Sequence, residues 1–200
     1  MEIHLDTNQF GRIVAQTAKH VIRQGIREAE RGQMMEEFQS RQQELVTAVV
    51  QRVDPKTGAV TVEIGKAEAV LPRSEQLEND EFHEGDHIKV FIVDVKDTGK
   101  GPRAMISRTH PGLVKRLFEL EVPEIYSGEI EIKAISREAG SRTKLAVYSK
   151  DENLDAVGSC IGPRGARVNK IVEELGGEKI DIVKYSDNPE EFIAEALSPA

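Results

Sequence analysis

The sequence predicts an α+β chain of several modules: a long amino-terminal helix, a small five-stranded barrel, then a compact module of mixed helices and strands. Changes of period carry this prediction. Apolar residues recur at helical spacing up to about residue 40. Short alternating runs separated by Gly/Pro turns follow, and beyond residue 109 both periods occur in turn. The expected divisions are 1–40, 41–108 and 109–200.

In the first segment, apolar or small residues fall at Phe10, Ile13, Val14, Thr17, Ala18, Val21, Ile22, Gly25, Ile26 and Ala29. Asp6 with Gln9 three residues on resembles a capping box. Gly25 and Gly32 each cost about 1 kcal/mol relative to Ala, so a bend or frayed middle is expected. About 30 helical residues span roughly 45 Å. Such a helix cannot bury its stripe on a small neighbour, so it is expected to pack on protein outside this sequence.

The second segment opens with ELVTAVVQRV, rich in β-branched residues, followed by the turn Asp54-Pro55-Lys56-Thr57-Gly58. AVTVEI places Val60, Val62 and Ile64 on one face and Thr61 and Glu63 on the other. KAEAVLP, HIKVFIVDVK and RAMISR complete five short strands, with EQLENDEFHEGD as a loop or helical turn and DTGKGP as a second turn. An OB fold has that strand number.

In the third segment, Pro111 opens the short helix LVKRLFELE and Pro123 ends it. EIEIKAISRE and SRTKLAVYS flank the hairpin signal Ala139-Gly140-Ser141. LDAVGSCIGPRGARVNKIVEELGG reads as two helical pieces around a glycine-containing break, EKIDIVKY as a strand, and NPEEFIAEAL as a helix. That last helix has Asn188 as N-cap and Pro189 at its first position.

The net charge of -8 argues against a chain coated in positive charge. The acidity is segregated, however. Residues 133–170 hold eight positive against four negative side chains, while 171–200 hold two against eight. Within the basic island lies Gly162-Pro163-Arg164-Gly165. Glycines there let backbone approach a sugar-phosphate chain that a Cβ would hold off. N–H groups at the start of the following helix suit phosphate oxygens, and Arg164, Arg167 and Lys170 add cationic donors. KH modules clamp about four nucleotides through such a GXXG loop. A tight corner between helices with solvated charges is the plainer reading. The apolar faces before and after the loop, and the strand beyond, favour nucleic acid.

Other groups carry less. Cys160 has no partner for a disulfide and no His or Asp in a matching signature, so core packing is expected. His83 and His87 are separated by Gly85, which spoils a metal pair. Glu173-Glu174 and Glu190-Glu191 read as helix-surface carboxylates. No Walker loop, HExxH helix or nucleophile elbow is present, so no enzyme, cofactor or metal is expected. No basic region leads into an apolar run at the amino terminus, and no stretch of roughly 18 apolar residues occurs. The expected location is cytoplasmic, with no membrane partner.

The stretches LPRSEQ, GDHIKV, SRTHPGLVKRLFELEVPEI, GSRTKLAV, DAVGSCIGPRGARVNKI and ELGGEKIDIV resemble the NusA family of bacterial transcription factors. The third segment resembles that family's first KH domain, of type II with strands first. The second resembles its S1-type OB domain, and AKHVIRQGIREAER resembles the helix linking the polymerase-binding domain to the RNA-binding part. The resemblance implies a polymerase-binding domain ahead of the long helix and a second KH domain after residue 200; this sequence holds only the end of the first and none of the second. It implies binding of nascent single-stranded RNA and, with RNA polymerase and other antitermination factors, control of elongation, pausing, termination and antitermination. Gly162, Pro163, Arg164 and Gly165 would then face RNA backbone with Arg167 and Lys170 nearby, and Ile182 would lie under bases beside Ile180. Core burial explains those isoleucines equally well.

Many S1-type barrels stack bases on aromatic residues of the second and third strands. Here those strands read GAVTVEIGKAEAVLP, leaving electrostatic contact through Lys56, Lys66 and Arg73, or a plain solvated face. Two alternatives stand beside this reading. The RNA-holding tail of a ribonuclease such as polynucleotide phosphorylase resembles KH first and barrel second, the reverse of this order. A protein-interaction module would bind RNA only incidentally.

Overall fold

The computed structural model describes residues 11–65, 67–98 and 101–197. Helix α1 covers Arg12–Ser40 as one element, uninterrupted at Gly25 and Gly32. The expected Asp6–Gln9 capping box and Phe10 lie outside the described residues. The apolar stripe is open: Val14, Val21, Ile22 and Ile26 are 44–62% exposed. Only the far end of α1 is covered, where Phe38 joins the barrel core with Met34 packed beside it.

Strands β1 (Leu45–Val53), β2 (Val60–Ile64), β3 (Ala67–Leu71), β4 (His87–Thr98) and β5 (Gly101–Ser107) close a barrel in the order β1-β2-β3-β5-β4. Val60, Val62 and Ile64, with Ala67, Ala69 and Leu71, point inward as their alternation predicts. Register shifts in β1 at Val50/Arg52 and in β4 at Ile92/Asp94 supply the local coiling that closure needs. The β3–β5 seam is parallel and pairs only Val70 with Met105. A 3₁₀ turn at Arg73–Glu75 begins the connection to β4.

The second module comprises α2 (Pro111–Glu121), α3 (Pro123–Tyr126), β6 (Ile130–Glu138), β7 (Arg142–Ser149), α4 (Ala156–Ile161), α5 (Ala166–Glu174), β8 (Lys179–Lys184) and α6 (Pro189–Leu197). Its sheet runs β6-β7-β8, antiparallel then parallel. Helices α2 and α3 precede its first strand, so this KH module opens with helices and not, as expected, with strands. Pro123 ends α2 and also opens α3, since a proline at the first helical position forfeits no hydrogen bond. His110 caps α2 by accepting from the Gly112 N–H at 3.0 Å, and its ring stacks on Phe91. A Cβ on Gly112 would stand 2.5 Å from Phe91 Cζ, which explains the glycine. Asn188 accepts from the Glu190 N–H, as a capping residue should.

Barrel and KH module share a seam. Leu77 and Phe91, from the barrel segment, are buried in the KH core with Leu113, Leu117 and Phe118. Arg108, 4% exposed, bridges the two. It donates to both Asp80 carboxylate oxygens (2.8 and 3.0 Å), to the Lys89 carbonyl (2.7 Å), and to the carbonyl and carboxylate of Glu174. Glu174 is therefore an interface residue, whereas its sequence position suggested a solvated one. Deeper in the module, Arg137 and Glu178 form an ion pair whose side chains are both 0% exposed. Thr143 and the Gly140 N–H also donate to Glu178. Burial favours the neutral acid, but these donors prevail and hold the Glu178 carboxyl below its ordinary 4.5.

Candidate nucleic-acid interface

The break between α4 and α5 is built from unusual backbone. Gly162 has φ 75°, Arg164 φ 55° and Gly165 φ 77°. Glycine occupies the left-handed region freely, but arginine does so at a cost of roughly 1 kcal/mol. Such a cost persists where surrounding structure enforces it, and it clusters at functional sites. Asp155 starts α4 by accepting from the Gly158 N–H at 3.0 Å. The Gly165 and Ala166 N–H groups turn inward onto the Gly162 and Pro163 carbonyls, and no side chain caps α5. The loop therefore presents fewer free N–H groups than its sequence implied.

The basic island is mostly cancelled in space. Arg137 pairs with Glu178, Arg142 with Asp181, and Lys133 and Lys150 with Glu131. Lys144 donates to the Ala196 carbonyl, Arg167 pairs with Glu124, and Lys170 pairs with Glu121 at 3.1 Å. Among the described residues, Arg164 alone of these eight cations carries no hydrogen bond or ion pair. It is exposed at the loop, beside exposed Pro163. Lys170 is also exposed and within reach of solvent, whereas Arg167 is turned back over the loop. Hydrogen bonds from Lys133 and Lys150 pull the Glu131 carboxyl down to about 2.

Ile182 lies half-buried with Ile180 on the core side of the sheet, in register with buried Leu145. Asp181 takes the opposite face. Cys160 is fully buried, and burial pushes its thiol up to about 12, so it stays protonated and inert. His83 pairs with Asp86, and His87 begins β4.

On the barrel, Lys56 is exposed in the β1–β2 turn. The Arg73 stem packs beside Gly58 of that turn while its guanidinium donates to Gln76. Those two cations share one end of the barrel; Lys66 lies outside the described residues. The outward face of β2 and β3 sets Glu63 directly opposite Glu68. Beside it, a groove of about 890 Å³ follows the β3–β5 seam, lined among others by Met34, Val70, Arg103 and Met105. Arg103 stands opposite Lys96 across the β4–β5 hairpin, a pair of cations that the sequence reading passed over. Charge alternation on a hairpin was the available signal.

A closed five-stranded barrel followed by a module of helices on a three-stranded sheet with an exposed GxxG loop defines a chain assembled from S1 and KH modules. Residues 41–107 match the S1 RNA binding domain, 108–185 the NusA-like first KH domain, and 1–32 the NusA N-terminal domain. The chain belongs to the NusA family. Over all 200 residues it is 54% identical to a protein of Bacillus subtilis named transcription termination/antitermination protein NusA, covering 53% of it. Proteins of the same name from Halalkalibacterium halodurans (52% identical, 52% covered) and Thermus thermophilus (43% identical, 51% covered) also match over the full chain. The chain thus spans about half the length of the curated relatives it matches.

Proposed function

We propose that this chain binds nascent single-stranded RNA at the GxxG loop and, in a NusA-family protein, helps control transcript elongation, pausing, termination and antitermination. The observation that carries the reading is the Arg164 guanidinium, unpaired and exposed on left-handed backbone between two positive-φ glycines. A cation held there costs conformational energy and has no partner among the described residues. A phosphate supplies one. Gly162, Pro163 and Gly165 admit the backbone of the nucleic acid, Lys170 adds a second donor, and half-buried Ile182 lends an apolar floor. Lys56 and Arg73, with Lys66, contribute weak electrostatic contact from the barrel. The name shared by the relatives describes a transcription factor, which supports a binding rather than a catalytic role.

The open stripe of α1, with Val14, Val21, Ile22 and Ile26, supports a second element of the proposal. This helix joins the RNA-binding modules to a polymerase-bound portion and sets their distance, with the whole working in the cytoplasm. Among the described residues no helix is long and apolar enough to cross a membrane. The test of the RNA site is the double replacement Arg164→Asp with Gly165→Asp. It is expected to abolish binding of short single-stranded RNA in an anisotropy titration while leaving the circular dichroism spectrum unchanged. Undiminished binding overturns the assignment.

A further inference from the structure

Arg167 stands in the first turn of α5, where its position along the sequence invites a phosphate contact. Its geometry points elsewhere. Nη1 donates to Glu124 Oε2 at 2.9 Å and to the Ser159 carbonyl at 2.7 Å. Ser159 belongs to the last turn of α4, whose carbonyls have no partner within the helix. The Arg167 stem also underlies the loop, since a Cβ on Gly162 would lie 2.7 Å from Arg167 Cγ. One side chain therefore ties together α3, the end of α4, the first loop glycine and the start of α5.

We propose that Glu124 is a positioning residue of the GxxG loop and acts through Arg167. The carboxylate holds the guanidinium across the loop, and the guanidinium holds α4 against α5, so that Arg164 is presented outward. This rests on the reading of the loop as an RNA clamp. It assigns Arg167 to the scaffold and leaves Arg164 as the cation that meets phosphate. The two roles differ in sign. Were Arg167 a phosphate ligand, Glu124 would be a competing anion, and its removal would tighten RNA binding. As a brace, its removal loosens the loop and weakens binding.

The experiment has two arms. Without RNA, amide hydrogen exchange is followed at Gly165, whose N–H donates to Gly162 O at 3.1 Å. Glu124→Gln is expected to accelerate that exchange, and an unchanged rate overturns the brace whatever the loop binds. With RNA, a short labelled single strand is titrated across salt concentrations. Glu124→Gln and Arg167→Lys each weaken binding roughly three- to tenfold, because the binding-competent fraction falls, while the log–log salt slope is unchanged. The two together weaken it no more than one alone, since they act as a unit. Arg164→Ala instead lowers the slope by about 0.7, the signature of one lost phosphate contact.

Tighter or equal binding by Glu124→Gln overturns the proposal, as does full affinity in Arg167→Lys, which keeps the charge but loses the fork. Should Glu124→Gln not fold, Arg167→Lys carries both arms. Undiminished binding by the Arg164→Asp, Gly165→Asp pair overturns the RNA reading instead. The exchange arm still judges the brace in that case.

Discussion

In the barrel, the outward face of β2 and β3 sets one carboxylate against another, Glu63 opposite Glu68, and carries no aromatic ring. In the KH module's basic stretch, 133–170, seven of the eight cations have a partner, down to Arg137 in its fully buried pair with Glu178. The unpaired exception, Arg164, sits on strained backbone at the loop. The barrel spreads its unsatisfied charge over a surface. The basic stretch of the KH module engages seven of its cations within the fold and leaves Arg164 exposed. An unpaired charge is informative in proportion to how completely its neighbours are paired, and by that measure the KH loop outranks the barrel face.

The largest expected effect tests the pairing itself. Arg137→Met leaves Glu178 buried without its counter-charge and is expected to destabilise the protein by roughly 3–5 kcal/mol, read as a lowered urea midpoint. Glu68→Ala on the barrel, which removes a like-charge neighbour, should instead stabilise by a few tenths of a kcal/mol, about the scale of a cross-strand pair. A similar loss from both replacements would erase the contrast between the modules.

Next is the seam. Arg108→Ala abandons the buried Asp80 carboxylate and the end of α5, at a cost of roughly 3 kcal/mol. Its distinctive sign is a single unfolding transition that splits into two, as the barrel and KH module uncouple.

Acid should act in the same direction as Arg137→Met, more gradually. The folded Glu178 carboxyl lies below its ordinary value of 4.5, so its contribution is complete above that value. It is lost as pH falls through the lowered folded value. Amide exchange is therefore expected to open β6, β7 and β8 of the wild type at low pH, with no such acid-dependent step left in Glu178→Gln.

The smallest effects concern surface charge. Glu121→Gln releases Lys170 and should tighten RNA binding about twofold while steepening the salt slope by up to about 0.7. Lys56→Ala with Arg73→Ala should change affinity by less than about twofold, as exposed single charges do. A larger loss would move the RNA path onto the barrel and reverse the comparison.

Much of this was legible in the chain. Alternation in AVTVEI separated the face that points into the barrel from the face that points out, Asn188-Pro189 marked the start of α6, and the two glycines of Gly162-Pro163-Arg164-Gly165 marked the loop. Asp155, passed over as an N-cap, had a usable signal in its place just before an apolar run. Glu124 had none: it meets Arg167 across 43 positions. Likewise Asp80 lies 28 positions from Arg108 and Glu174 lies 66 away, and nothing in their surroundings marks them as partners. The basic island at 133–170 misled for the same reason, since most of its counter-charges come from outside the stretch.

By itself the sequence determined the elements, their order, the inward faces of the strands and the place of the loop. Those properties depend on side-chain period and on the backbone freedom of glycine and proline, which are local. Only the tertiary structure decided which cations remain available. A Coulomb interaction depends on distance and burial, and both are set when α3 folds onto the α4–α5 loop and α5 docks on the barrel. Arg164 and Arg167 are three positions apart and alike in chemistry. The fold turned one outward to an empty surface and the other inward to Glu124.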